Sequence, residues 1–312
     1  MAENKEIKRR TRFQEVVRQL RKNKTAMVGL VMMVVISILC IGAPLFAPHD
    51  PDDSDLDRGL KPGFWSDDGP SGYYLGTDYL GRDILSRIFY GGRITLKVGV
   101  LALGFALIFG TFLGLTAGYF GGWTDMLLMR VVDVLFAFPA LLLALVIAGT
   151  LAGNTFHIFG LALQPSRIAW AMIAIGVVYT PRMARVVRGG VLAVKEAEYI
   201  EAEHAIGSST LRIVFKHVLP NALAPIIVFS TLMLATAILD AAALGFLGVG
   251  AQAPSPEWGL SLSIARKYLV LGAWWAATFP GIAILLSVIS LNMLGDGLRD
   301  ALDPRLKGGA KL

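Results

Sequence analysis

The chain has 312 residues, of which 55% are hydrophobic and 17% are charged, and its mean hydropathy is +0.61. This balance excludes a soluble domain of that length and is typical of a protein that crosses a membrane several times. Basic residues outnumber acidic residues by 29 to 23, but their positions, given below, argue against a nucleic-acid partner. The single cysteine, Cys40, lies in an apolar run and predicts neither a disulfide framework nor a metal site.

The N-terminal segment, residues 1–24, is predicted to form a cytoplasmic amphipathic helix. It holds nine Lys or Arg, and Phe13, Val16, Val17 and Leu20 recur at helical spacing. A helix with one apolar stripe and basic flanks suits the anionic inner surface of a membrane, so membrane lipid is its expected partner. Packing on a partner subunit is the alternative.

A first transmembrane helix is predicted at residues 25–47, an uncharged run of about twenty residues that is long enough to cross the hydrocarbon core once. The nine basic residues before it place the N-terminus inside the cell. Residues 48–91 are then predicted as an external loop with an interfacial helix at its end. Five aspartates between residues 50 and 57 suggest a calcium loop, but the glycine and glutamate of an EF-hand loop are missing, so a solvated acidic loop is favoured.

Five further spans are predicted within residues 92–312. They lie at residues 94–119, 126–151, 168–183, 223–248 and 274–294. Pro139 and Pro280 predict kinks in the third and sixth spans, and Pro181 lies near the inner end of the fourth. In the second span a glycine recurs every four residues, so that one helix face can approach another helix closely. These helix-packing residues are Gly110, Gly114 and Gly118.

Six spans place both termini in the cytoplasm, and the distribution of basic residues agrees with this topology. Lys and Arg number nine in residues 1–24, six in residues 182–222 and four in residues 295–312, against seven in the predicted external loops. Nineteen inside against seven outside follows the positive-inside rule and accounts for the net positive charge without nucleic acid. The sequence therefore predicts an all-α, polytopic membrane protein.

No nucleotide-binding or catalytic motif occurs in the sequence. There is no GxxxxGK[ST] loop for ATP, no HExxH, no GxSxG and no Cys/His zinc spacing. The four histidines fall in separate loops, so neither a metal site nor a catalytic site is expected. Two carboxylates lie within predicted spans, Asp133 in the third and Asp240 in the fifth. Charged groups inside a membrane usually serve a function, so both are candidate pore-lining or gating residues.

The most polar interior stretch, residues 182–222, lies between the fourth and fifth spans on the cytoplasmic side. Residues 195–206 are good helix formers, and Gly207 suits the left-handed position that ends a helix. Ser208 or Ser209 can cap a second, basic helix that Pro220 is expected to end. The composition of the stretch is equally compatible with a solvated loop and with a surface that docks another protein.

This stretch resembles the EAA loop of the permeases of ATP-binding cassette (ABC) importers, in which Glu-Ala-Ala is followed by a glycine and later by Leu-Pro. The matching residues are Glu201, Ala202, Gly207, Leu219 and Pro220. Glu203 stands where the pattern has its second alanine. The stretches LFAPHDP, LGTDYLGRDILSRIFYGGR, GGWTDMLLMRVVDVLFAFP and NMLGDGLRDALDPRLK are similar to the C-type subunit of dipeptide, oligopeptide and nickel importers. Together they cover nearly the whole chain.

The resemblance implies a type I importer permease whose transmembrane domain, residues 92–312, follows an extra N-terminal span. Such a subunit would pair with a second, homologous permease as a heterodimer and form one pathway for peptides. Two cytoplasmic ATP-binding subunits would hydrolyse ATP, and an extracytoplasmic substrate-binding protein would deliver the substrate. The ATPase-coupling residues would be Glu201, Ala202, Glu203, Gly207, Leu219 and Pro220. The chain itself would be no enzyme, would bind no cofactor or metal, and would lie in the prokaryotic cell membrane.

Three alternatives are open at the level of the sequence. The same machinery could import nickel chelates, the chain could be a self-sufficient channel or secondary transporter, or it could be a scaffold that only binds a cytosolic ATPase. Secondary transporters often contain an inverted repeat with broken helices, and no clear repeat relates the first three predicted spans to the last three. The single long inner loop is also asymmetric, which favours the importer permease.

Overall fold

The computed structural model describes residues 12–154, 156–158, 161–163 and 165–302, and most of these residues are helical. The helices are α1 (Arg12–Lys22), α2 (Lys24–Ile41), α3 (Ala43–Phe46), α4 (Ile84–Phe120), α5 (Gly122–Phe136), α6 (Ala140–Leu151), α7 (Arg167–Lys195), α8 (Glu198–Ala205), α9 (Thr210–Arg212), α10 (Leu219–Phe246), α11 (Trp258–Ala265) and α12 (Trp275–Leu302). A short antiparallel hairpin, β1 (Phe156–Ile158) and β2 (Leu161–Leu163), precedes α7 where a plain loop was predicted. Residues 1–11 of the predicted N-terminal helix and residues 303–312 at the C-terminus lie outside the described residues.

Among the described residues, four helices are long and apolar enough to cross a membrane: α2, α4, α12 and the continuous helix from Thr210 to Phe246 that contains α9 and α10. The α5–α6 pair is a fifth candidate if its two bent parts form one span. The remaining predicted span lies in α7, which is less apolar because Arg182, Arg185 and Arg188 occupy its second half. The all-α polytopic class is confirmed, and the count of six spans stays a prediction.

The main core lies between α4 and α7, which pack together along most of their length. The three glycines that share a face of α4 all point at α7. A Cβ atom on Gly110 would lie 2.6 Å from the Cβ of Met183, and one on Gly114 would lie 2.4 Å from the carbonyl oxygen of Ala184. Gly118 approaches α7 in the same way. Because van der Waals contacts are longer than these distances, a side chain at these positions would push the two helices apart.

The third predicted span is broken instead of kinked. Helix α5 ends at Phe136, α6 begins at Ala140, and the two helices meet at 88°. Pro139 directly precedes α6, where its ring has no earlier turn of that helix to clash with. Of the side chains of α5 only Val132 is buried. The prediction of one kinked helix was therefore wrong, and α5 forms an arm that protrudes from the bundle.

Two other prolines, unlike Pro139, lie inside helices that were expected to end near them. Pro181 is within α7, which continues to Lys195, so the polar segment 182–222 begins as part of that long helix. Pro220 lies in the first turn of α10, where a missing N–H leaves no helical hydrogen bond unmade. The residues before it, Ile213–Val218, are π-helical and are called the π segment below. The basic helix therefore runs into α10 without a stop, and the expected break at Pro220 was wrong.

Residues 47–83 form a polar subdomain at one end of the bundle. This end of the bundle is called the subdomain end. Two guanidinium groups are buried among acceptors at this end: Arg82 of the subdomain lies 2.7 Å from Asp78, and Arg87 of α4 donates to the carbonyl oxygen of Pro51 at 2.8 Å. The interfacial helix predicted at its boundary is no separate element, since α4 begins at Ile84 and continues without interruption. The segment between α10 and α12 contains α11, which packs against both of these helices.

Candidate coupling site

Helix α8 lies at the end of the bundle opposite the subdomain, called the α8 end. Its buried side chain is Ile200, which is 1% exposed and packs in the main core. Three of the predicted coupling residues, Glu201, Ala202 and Gly207, are exposed. The helix is thus anchored along one face by an isoleucine and presents its remaining faces outward.

The end of α8 has the geometry of a Schellman motif. Gly207 has φ +77°, the left-handed conformation that glycine adopts without a steric penalty. The amide of Gly207 donates to the carbonyl of His204 at 3.0 Å, and the amide of Ser208 donates to the carbonyl of Glu203 at 3.0 Å. These two bonds satisfy carbonyls that the last turn would otherwise leave unpaired. The chain therefore leaves α8 in a fixed direction toward α9.

Glu203 faces the chain's own π segment. The hydroxyl of Ser208 donates to one carboxylate oxygen at 2.5 Å, and Nε2 of His217 lies 3.3 Å from the other. The Ser208 hydrogen bond lowers the pKa of Glu203, and the nearby basic groups His217, Arg212 and Lys216 lower it further. The glutamate that departs from the family pattern thus ties α8 to the following segment.

Large apolar side chains surround α8 at the α8 end without cover from the described residues. Tyr199, Ile206, Leu211 and Phe215 are all exposed, Ile206 by 76%. Val214 and Val218 alternate with them and are buried, so the π segment has one face in the core and one face outward. These four exposed side chains are called the apolar rim. Of the remaining predicted coupling residues, Leu219 is partly buried and Pro220 is exposed.

Two ion pairs join the protruding α5 to α7. Arg188 makes a bidentate pair with Asp125 at 2.5 and 2.6 Å, and Arg185 lies 2.6 Å from Asp133. Asp133, a predicted gating residue, is half exposed, as is its arginine partner. These charged contacts connect α5 to α7, while α5 itself buries little apolar surface.

Asp240, the second candidate gating residue, lies between α10 and α7. The hydroxyl of Tyr179 donates to its carboxylate at 2.7 Å. Arg182 lies over the ring of Tyr179, with its Cζ 5.5 Å from the ring centroid. The contacts of Asp240 and Asp133 are therefore separate, and both are made with α7.

The sequence reasoning missed the partners of both carboxylates. Arg182, Arg185 and Arg188 recur every three residues, which places them along one side of a helix. They were counted only as positive charge on the inner side, because the fourth span was expected to end at residue 183. Treating α7 as continuous to Lys195 would have placed the three arginines on one helix, but it would not have identified the carboxylates opposite them. Among the described residues, no group of three or more His, Cys, Asp or Glu could hold a metal ion.

Comparison with known proteins shows the family of this chain. Residues 110–308 match the family described as binding-protein-dependent transport system inner membrane component. This match covers more than half of the chain, including α8 and the helices α7 and α10 on either side of it. The chain belongs to this family. Residues 11–62 of the permease also match the N-terminal transmembrane domain of oligopeptide transport permease C.

Similar permeases come from several bacteria. The dipeptide transport system permease protein DppC of Alkalihalophilus pseudofirmus is 47% identical over 95% of this chain and 90% of its own length. The di/tripeptide transport system permease protein DppC of Pseudomonas aeruginosa is 43% identical over 92% and 90%. The glutathione transport system permease protein GsiD of Pectobacterium atrosepticum is 41% identical over 96% and 93%.

The fold is also that of solved transporters. Inward-facing conformations of the MetNI methionine ABC transporter include a chain that superposes with a TM-score of 0.54 and 21% identity, over 70% of this chain and 96% of that one. An amino acid ABC transporter gives a TM-score of 0.52 at 16% identity, over 69% and 93%. At these identities the likeness concerns the fold alone.

Membership in the family establishes the general role. The chain is the permease subunit of a binding-protein-dependent ABC importer and is a multi-pass protein of the bacterial inner membrane. It is not an enzyme, because ATP hydrolysis belongs to separate ATP-binding subunits. Its transport system also includes a substrate-binding protein.

Proposed function

We propose that this permease pairs with a second, homologous permease and forms with it the pathway for di- and tripeptides. The relatives named for dipeptides, di/tripeptides and glutathione, which is itself a tripeptide, support this substrate class. Nickel chelates are the competing substrate within the same machinery. The chain holds no cofactor in this proposal, and ATP is bound only by the partner subunits.

The α8 end carries the contact with the ATP-binding subunits in this proposal. The supporting observation is the set of contacts that α8 makes: Ile200 is buried in the core, the helix is closed at Gly207, and Glu203 bonds to the segment that continues into α10. A push on α8 is passed directly to α7 before it and α10 after it. The exposed apolar rim of Ile206 and Leu211 gives the partner's cleft a surface to bury. Alternating access would follow as rigid-body movement of these packed helices.

The side of the bundle that carries α5 is the surface proposed for the second permease and the pathway. A half-exposed ion pair such as Asp133–Arg185 is costly against lipid, so such groups face protein or a water-filled cavity. The same argument applies to Asp240, which is only partly buried. These carboxylates would therefore line or gate the pathway. The α8 end would be cytoplasmic and the subdomain end external, with both termini inside.

Reconstitution tests the proposal. The permease is purified with its partner permease and ATP-binding subunits, placed in proteoliposomes and supplied with the substrate-binding protein. Dialanine is expected to stimulate ATP hydrolysis and to be taken up only when ATP is present. Uptake without the ATP-binding subunits would indicate a self-sufficient transporter. Stimulation by a nickel chelate but by no peptide would assign the other substrate class.

A further inference from the structure

Two basic side chains of α4, Arg93 and Lys97, are exposed and form no ion pair with a carboxylate among the described residues. They are four residues apart, so they lie one above the other on the same helix face. The guanidinium of Arg93 lies over the ring of Tyr90, with its Cζ 5.8 Å from the centroid. An uncompensated pair of cations on a membrane helix requires an anion or water close by.

The depth of these cations follows from two neighbouring helices. A Cβ atom on Gly92 would lie 2.2 Å from Sγ of Cys40, so Arg93 is level with the last turn of α2. If the opposite boundary of the hydrocarbon is taken at Phe120, where α4 ends, about 30 Å at roughly 1.5 Å per residue places the nearer boundary at about Val100. Both estimates place Arg93 and Lys97 at the headgroup level of the leaflet at the subdomain end.

A groove of about 720 Å³ opens beside the two cations, between α2, α4, α7 and α10. Arg93, Lys97 and the hydroxyl-bearing Ser166 line its upper part, while Met33 and Leu234 line its deeper part. From Ile41 to Met33 the α2 wall descends about 12 Å toward the middle of the bilayer. The groove is therefore cationic at the boundary and apolar beneath it.

We propose that this groove binds an anionic phospholipid, with its phosphate at Arg93 and Lys97 and one acyl chain along Met33 and Leu234. Guanidinium and ammonium groups both bind phosphate oxygens well, and arginine does so through two parallel hydrogen bonds. An amphiphile satisfies both halves of the groove at once. An acidic segment of the second permease or the carboxylate of a passing peptide would satisfy the cations but leave the long apolar part open.

The test uses the full chain, purified with its partner subunits in a neutral detergent. Native mass spectrometry measures retained lipid after incubation with phosphatidylglycerol or with phosphatidylcholine. We expect preferential binding of phosphatidylglycerol, weakened about fivefold by Arg93→Gln or Lys97→Gln and about twenty-five-fold by both. Lys267→Gln removes an exposed cation at the same end, away from the groove, and should leave lipid binding unchanged.

A second variant tests the apolar half of the site. Met172 of α7 also lines the groove, and Met172→Trp would fill it while both cations stay in place. This variant should weaken phosphatidylglycerol binding without changing the elution volume of the complex in gel filtration, which reports an intact assembly. Equal binding of the two lipids by the native protein would overturn the proposal. It would also be overturned if the double glutamine variant kept its lipid but lost the second permease, or kept its lipid but showed a raised KM for dialanine.

Discussion

Replacing Gly207 tests the coupling site through its backbone alone. No heavy atom lies within 4 Å of the position that a Cβ atom would take, so a side chain there meets no clash. The left-handed φ of +77° nevertheless costs an L-residue about 1–2 kcal/mol, more for a β-branched valine than for alanine. Asparagine visits this conformation readily. The expected order of damage is therefore Gly207→Asn, then Gly207→Ala, then Gly207→Val.

A cost of about 1–2 kcal/mol shifts the balance between the closed and the frayed end of α8 by roughly 5- to 30-fold. Hydrogen–deuterium exchange reports this shift at the amide of Ser208, which donates to Glu203 in the closed form. Coupling is measured in proteoliposomes as dialanine taken up per ATP hydrolysed. We expect Gly207→Val to accelerate exchange and to reduce the coupling ratio, with membrane insertion unchanged.

The asparagine variant is the control, because it adds a side chain of similar size without the same backbone cost. If Gly207→Asn and Gly207→Val reduce coupling equally, side-chain bulk at the partner surface is responsible and the backbone argument is wrong. If Gly207→Val exchanges and transports like the native protein, a fixed end of α8 has no part in coupling.

Three further predictions concern packing, the α5 arm and pH. Gly114→Ala should lower stability in detergent by about 1–3 kcal/mol because its Cβ would meet α7 at 2.4 Å, whereas Gly104→Ala, with no atom within 4 Å, should not lower the melting temperature. Asp125→Asn should reduce dialanine uptake, and the double variant Asp125→Arg with Arg188→Asp, which swaps the two charges, should restore part of it. If the double variant restores no uptake, the pairing of these two residues is not what transport requires. Because the folded-state pKa of Glu203 is depressed, its stabilising contribution is full above the usual glutamate range and is lost as pH falls through the depressed value. Exchange protection of α8 should therefore fall in acid, and a pH response that persists in Glu203→Gln would contradict this origin.

Local patterns in the sequence were sufficient to place most of the long helices. The apolar runs located α2, α4, α10 and α12, because length and hydropathy alone decide which segments leave water. The left-handed Gly207 was also predictable, since a glycine that follows a run of helix formers usually ends the helix. The helix boundaries at Pro139, Pro181 and Pro220 were less predictable, because the effect of a proline depends on the turn that precedes it.

Contacts between distant segments could not be read from the sequence. Glu203 looked like a departure from a motif, and only the fold brings His217 within reach of it. Asp133 and Asp240 were recognised as unusual, but their partners Arg185 and Tyr179 follow from the crossing of α7 with α5 and α10. Periodicity within one helix carries no information about which helix lies opposite.

The central claim is that α8 contacts an ATP-binding subunit. The direct measurement is a crosslink from Ala202→Cys, labelled with a photoactivatable maleimide in a Cys40→Ser background of the assembled transporter. Phe64→Cys, 77% exposed at the subdomain end, is the matched control. The account predicts an adduct of the residue-202 probe with an ATP-binding subunit and none from residue 64. An adduct of an ATP-binding subunit with the residue-64 probe, or the absence of one with the residue-202 probe, would contradict it.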